Sequence, residues 1–204
     1  MKFKKKINVN GNKVSIKYKK DSSIPLNANN LKDYAKSLNH DIVRVIVKTK
    51  KLPHITGELK RFLEEQERID LIVLMGRLET LEGLGGVKGL KWLYANNNKL
   101  RTMRGVENLM ELRSLSLFAN RIHQIEGLDR LTKLRVLDLR NNKIKSLMGL
   151  HNNFELTDLN LAGNPVWNWV KNQFTINNLT GSVKFPQEVV QYCRQNFAPQ
   201  GMAY

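Results

Sequence analysis

The sequence predicts a solenoid of stacked 22-residue coils, closed by a capping segment at each end. Three observations predict it. Four glycines, Gly83, Gly105, Gly127 and Gly149, fall 22 residues apart, each followed by an aliphatic residue, and a fixed period of this length marks a repeat architecture. Written in 22-residue rows from Arg68, Leu90, Leu112, Leu134 and Leu156, the chain aligns its apolar residues in columns without a gap. Both ends of the array depart from the pattern, as terminal coils do when they close an open core.

From the N-terminus, residues 2–18 read as a β-hairpin around Asn10-Gly11, a dipeptide suited to a two-residue turn. That turn sets Ile7 opposite Val14 and Phe3 opposite Tyr18, on one face with Val9 and Ile16. Lys4, Lys6, Lys13 and Lys17 then share the other face. Leu31, Tyr34, Ala35 and Leu38 have helical spacing, with Asn27 or Asn29 placed to cap them. Residues 42–47 are rich in β-branched side chains and read as a strand. Thr56 opens a helix expected to run to Glu67, with Leu59, Phe62 and Leu63 on its inner face. In its order of strand, strand, helix, strand, this segment resembles a β-grasp (ubiquitin-like) module. Its expected role is to cover the open N-terminal edge of the solenoid, where strand and core would otherwise be exposed.

Within the rows, each column has a physical reason. The fourth position reads Leu71, Leu93, Leu115, Leu137 and Leu159, and the sixth Val73, Ala95, Leu117, Leu139 and Leu161. This is the period of two of a short strand with one face buried. At the ninth stand Asn98, Asn120, Asn142 and Asn164, with Gly76 in the first row. An asparagine where the chain turns inward can serve backbone groups of adjacent coils that would otherwise be buried and unpaired. Leu78, Leu100, Ile122, Ile144 and Val166 fill the eleventh position. The glycines supply a positive φ or a close backbone approach. Asn153 stands where the other rows carry an aliphatic residue, and Pro165 follows the last asparagine. Beyond the array, Val189, Val190 and Tyr192 suggest a short helix after Pro186, with a loose tail from Ala198.

The third row, Leu112-Arg-Ser-Leu115-Ser-Leu117-Phe-Ala-Asn120-Arg-Ile122, carries the pattern LxxLxLxxNxL. With its Ile125-Glu-Gly127-Leu128 tail it resembles the leucine-rich repeat, in the short 22-residue subtype of phosphatase-regulatory scaffolds, internalins and a spliceosomal ribonucleoprotein subunit. The resemblance covers about half of the chain. It implies a curved α/β solenoid with a parallel sheet on its concave side, used to bind other proteins. The resulting division is a basic N-terminal capping segment, 1–67, five repeats, 68–166, and a C-terminal cap and tail, 167–204.

Charge adds a second line of argument. The 204 residues carry a formal net charge of +16, concentrated at the N-terminus. Residues 1–66 hold 16 Lys and Arg against 6 Asp and Glu, and the first 20 hold eight lysines and no acid. Such a segment suits an acidic protein, nucleic acid or an anionic surface, or serves as a solvated strand face. A single cysteine, Cys193, excludes an internal disulfide and fits a reducing compartment, cytoplasmic or nuclear. Neither a membrane-length apolar run nor a secretory signal is present, so secretion is not expected.

In a leucine-rich repeat the third, fifth, seventh and eighth positions face solvent from the concave sheet. By that resemblance Trp92, Tyr94, Asn96, Ser116, Phe118, Val136, Asp138 and Arg140 line the concave face, and the first row adds Ile72, Leu74 and Met75. Aromatic residues and an arginine on a rigid surface have the composition of a binding hot spot. The alternative is that the capping segments fold over this face and bury it. A basic ladder, Arg77, Lys99, Arg121 and Lys143, recurs at the tenth position, and Lys91, Arg113 and Arg135 recur at the second. With Lys4, Lys6, Lys13 and Lys17 these offer contacts for an anion or nucleic acid.

Catalysis finds no support in the sequence. His40, His54, His123 and His151 are scattered without metal-ligand spacing, and Cys193 lacks a nucleophile signature. Residues 83–89 are glycine-rich, but Lys88 lacks the context of a phosphate loop. The expectation is a non-enzymatic scaffold without metal or cofactor, gripping a protein on its concave face. The alternatives are a nucleic-acid or ribonucleoprotein-associated protein, and a regulatory subunit of an enzyme such as a phosphatase.

Overall fold

The computed structural model describes residues 2–9, 12–21, 42–48, 53–55, 57–65 and 69–197, with eight strands joined in chain order into one sheet. β1 (Lys2–Val9) and β2 (Asn12–Asp21) form an antiparallel hairpin, and β3 (Ile42–Lys48) pairs antiparallel with β2. From β3 onward every pairing is parallel, through β4 (Leu71–Met75), β5 (Trp92–Tyr94), β6 (Ser114–Ser116), β7 (Val136–Asp138) and β8 (Asp158–Asn160). Parallel neighbours need a crossover, and here the remainder of each coil supplies it. Ile7 pairs with Val14 and Phe3 with Tyr18, the register that a two-residue turn demands. Because β3 pairs with β4, the hairpin continues the solenoid sheet and does not form a β-grasp sheet of its own. The Asn10-Gly11 turn, the helix expected around residues 31–38 and the tail from Ala198 lie outside the described residues.

Among the described residues three helices accompany the sheet. α1 (Gly57–Glu64) lies against β1 and buries Leu59, Phe62 and Leu63; it is shorter than the run to Glu67 that the apolar spacing suggests. α2 (Trp167–Gln173) and α3 (Pro186–Phe197) close the far end. Val189, Val190 and Cys193 point from α3 into the core, and the Cys193 Sγ reaches the Leu147 carbonyl at 3.2 Å. Val183 forms an antiparallel bridge to Leu159 of β8, so a segment of the cap covers the last strand.

The asparagine column holds the coils together. Asn120 donates from Nδ2 to the carbonyls of Ala95 and Leu117, both at 2.9 Å, and its Oδ1 accepts the amide of Leu100 at 3.1 Å. Asn98, Asn142 and Asn164 repeat this pattern one coil at a time. Each therefore satisfies one donor and two acceptors that the crossover would strand inside the core. The buried Asn153 does similar work on the return side, donating to the Leu128 and Leu131 carbonyls at 3.0 and 3.1 Å. A polar residue in an aliphatic column is explained by those two carbonyls.

The first row departs from the gap-free alignment. Leu71 pairs with Trp92 and Ile72 with Leu93, so β4 lies 21 residues before β5, against 22 from Leu93 to Leu115. Ile72 and Leu74 face the core, and Leu71, Val73 and Met75 take the concave side. The asparagine bonds say the same, since Asn98 serves the Leu74 carbonyl as Asn120 serves that of Ala95. The missing residue falls between Leu74 and Leu78. Five consecutive apolar residues fit either parity of a strand, so the pattern alone cannot choose. Leu74→Ala is expected to cost about 2–3 kcal/mol and Val73→Ala under about 1 kcal/mol. Equal losses in urea titrations of the two variants would return Val73 to the core.

Candidate functional site: the concave sheet face

Register defines the face as continuous columns. One runs Lys2, Lys19, Arg44, Leu71, Trp92, Ser114, Val136, Asp158; the next runs Lys4, Lys17, Ile46, Val73, Tyr94, Ser116, Asp138, Asn160. Paired residues share a face, so Lys4, Lys6, Lys13 and Lys17 sit at concave-side register positions on β1 and β2. Asp138 and Asp158 lie on its C-terminal strands.

Trp92 does not serve as an exposed anchor. It is 2 % exposed, and Leu71 beside it is 4 % exposed. Two large apolar side chains adjacent on one face are withdrawn from water together. Ile72 and Leu74, expected on this face, belong to the core through the register shift. Tyr94 is half-buried, and its hydroxyl is buried without a hydrogen bond of good geometry. Burial pushes its phenol up to about 12, with Ser114 on the adjoining strand acting in the opposite sense.

Met75 of β4 is exposed on this face, and its polar residues lie over β5 to β8 and the turns that follow them. Arg140 grips Asp138 with two bonds, Nε to Oδ1 at 2.9 Å and Nη2 to Oδ2 at 2.8 Å, and its amide adds a third at 3.1 Å. Its guanidinium stands 5.1 Å from the centre of the Phe118 ring. The Phe118 amide donates to Asn96 Oδ1 at 2.9 Å, and the same oxygen accepts from Ser116 Oγ at 2.8 Å. Asp138 holds the Arg140 pKa above its ordinary value, against partial burial, with Asp158 adding to the pull. Asn96, Ser116, Phe118, Asp138 and Arg140 thus form one connected group with Val136 at its edge, and Phe118 and Arg140 remain half-buried.

The second-position basic residues are partly engaged. Lys91 pairs with the buried Asp70 at 2.9 Å and Arg135 with Glu155 at 2.9 Å. Arg77, Lys99, Arg121 and Lys143 hold the tenth position on the flank where the strands end, and the amides of Lys99, Arg121 and Lys143 each bond the preceding coil. Sequence reasoning missed two further cations of that flank, Arg101 and Lys145, and the pairing of Lys91 with Asp70. The first two were legible as the twelfth position of their rows. Among the described residues no helix is long and apolar enough to cross a membrane.

Solved structures place this architecture. An internalin C2 from Listeria monocytogenes superposes with a TM-score of 0.51 at 20 % identity, covering 60 % of this chain and 56 % of that one. The chain is a leucine-rich repeat solenoid. An internalin (inlF) of the same organism has 22 % identity and a TM-score of 0.49, covering 57 % of this chain and 33 % of that one. The repeat protein described here thus spans between about a third and somewhat over half of those chains. No protein-family model matches the sequence, and no curated protein matches it.

The buried thiol of this repeat protein gives one pH prediction. Burial pushes the Cys193 thiol up to about 12. Above pH 9 the unfolded chain loses this proton and the folded chain keeps it, so stability falls as pH rises from about 9 towards about 12. Replacing Cys193 with alanine is expected to flatten that part of a stability–pH profile measured in urea. A slope identical to that of the wild type would remove Cys193 as a contributor.

Proposed function

We propose that this chain is a non-enzymatic scaffold that holds a protein partner on the concave face of its repeats, between Asn96 and Asp158. The observation that carries this reading is the Phe118–Arg140–Asp138 group. An aromatic ring and an arginine stand partly exposed on a rigid sheet, and hydrogen bonds fix both before any partner arrives. Preorganised anchors of this composition dominate interface energetics. Trp92 is not among them, since its side chain is spent on the fold. The recurrent 22-residue spacing supports placing the array in the short leucine-rich subtype. Residues 1–67 are read as its N-terminal cap and 167–204 as its C-terminal cap and tail.

The test replaces Phe118 and Arg140 with alanine and leaves Trp92 intact. A protein captured from native extract by the wild type should be lost by the double variant, with the far-UV spectrum unchanged. Each anchor is expected to contribute about 2 kcal/mol or more, roughly a 30-fold loss of affinity apiece. Equal capture by both forms would overturn the concave-face reading.

A further inference from the structure

We infer that the flank of the solenoid where the strands end is a sequence-independent nucleic-acid-binding edge, distinct from the concave face. In each row the eleventh position, Leu78, Leu100, Ile122 or Ile144, is fully buried, so the tenth and twelfth positions flanking it point outward. The tenth-position column is Arg77, Lys99, Arg121, Lys143. The twelfth begins with Glu79 and continues Arg101, His123, Lys145. The amides of Lys99, Arg121 and Lys143 each donate to the preceding coil, to the carbonyls of Leu78, Leu100 and Ile122, all at 2.8 Å. Adjacent coils are thereby held at about 5 Å, the spacing of hydrogen-bonded strands. The result is one row of four cations beside a second row to which Arg101 and Lys145 add two more, on a fixed grid.

What sets this flank apart is its pairing. On the opposite flank several cations pair within the fold, Lys91 with Asp70, Lys133 with Glu111 at 2.6 Å and Arg135 with Glu155, while Arg130 bonds the neutral Asn108 and Met110 side chains. Among the described residues Arg77, Lys99, Arg101, Arg121, Lys143 and Lys145 take part in no ion pair, and all but the half-buried Lys99 are exposed. One repeat thus builds a side on which several cations are paired and a side on which they are not. Cations held at coil spacing repel one another, and the fold draws nothing from them. A partner of opposite charge uses them.

The composition selects phosphate over an acidic protein. From Arg77 to Lys145 the two columns contain no apolar or aromatic residue, so they lack the desolvated anchors on which protein interfaces depend. Phosphate contacts need no such anchor. They supply sequence-independent binding through release of condensed counterions, and that binding weakens steeply with salt.

Fluorescence anisotropy of the full chain with a labelled single-stranded oligonucleotide of mixed sequence, between about 50 and about 200 mM salt, tests this. The variant Lys99→Gln/Arg121→Gln/Lys143→Gln/Lys145→Gln removes four contacts and should lower the slope of log K against log salt by about 3. Its affinity at about 100 mM salt should fall at least tenfold. Lys133→Gln/Arg135→Gln, on the paired flank, should leave the slope unchanged, as should Phe118→Ala/Arg140→Ala. An unchanged slope in the quadruple variant overturns the proposal, and so does absence of binding by the wild type at the lowest salt. Loss confined to Lys4→Gln/Lys6→Gln/Lys13→Gln/Lys17→Gln moves nucleic acid to the hairpin. Polyglutamate binding as tightly as the oligonucleotide makes the edge a surface for acidic protein. Circular dichroism of each variant confirms that the fold is retained.

Discussion

Replacing Asn120 with leucine is expected to lower the unfolding free energy by about 4 kcal/mol. The side chain sits at the middle of the asparagine column and is 8 % exposed. Leucine fills a comparable space but can neither donate to the Ala95 and Leu117 carbonyls nor accept from the Leu100 amide. Three buried backbone groups lose their partners at once, each at a cost of about 1–3 kcal/mol, and the added apolar burial offsets part of the sum. Because neighbouring coils stabilise one another through their shared interfaces, the damage spreads to both sides of the third row. Urea unfolding followed by far-UV circular dichroism measures it. A loss below about 1 kcal/mol would mean that water or a backbone shift satisfies the three groups.

Gly105→Ala is expected to cost about 4 kcal/mol, and its value as a test comes from a partner variant, Gly89→Ala. Both glycines have positive φ, +105° and +73°. A side chain at either pays about 1–3 kcal/mol for a conformation that L-residues rarely adopt. The two sites differ in their surroundings. A β-carbon at Gly105 would run into the Leu81 carbonyl group and the Glu82 amide of the preceding coil, whereas at Gly89 it meets nothing within 4 Å. At Gly105, as at Gly83 and Gly149, the chain thus leans directly on the backbone before it, and those backbone atoms cannot move without opening the stack. The difference between the two alanine variants isolates this contact from the backbone strain. Equal losses would reduce the role of Gly105 to its dihedral angle alone.

Much of this arrangement is legible in the sequence, for a simple reason. A repeat puts the same physical problem at the same position in each coil, so a solution such as Asn98, Asn120, Asn142 and Asn164 is printed four times. The left-handed residue three places beyond β5, β6 and β7 is less visible. Asn97 and Asn141 suit that conformation, with φ of 56° and 53°, but Ala119 adopts it too, at 57°, and hides the column. The first row misleads for a related reason. Its Leu71-Ile-Val-Leu-Met75 run satisfies both strand parities, and only the pairing of Leu71 with Trp92 reveals the shorter coil. The candidate face was legible only in part: Ile72 and Leu74, read onto it, turn to the core, and exposure was not legible at all. Phe118 and Arg140 meet solvent, and Trp92, identical in its column logic, does not.

By itself the sequence determined the repeat period, the inward columns, the asparagine and glycine positions and the surplus of positive charge. Each of these follows from local spacing along one chain. The tertiary structure alone decided the register of the first strand, the burial of Trp92, and which cations are neutralised. These depend on which residues of different coils become neighbours. Lys91 reaches Asp70 across 21 residues, and Arg135 reaches Glu155 across 20. Among the described residues Arg121 and Lys143 form no ion pair. Charge is a property of residues, whereas pairing is a property of the stack.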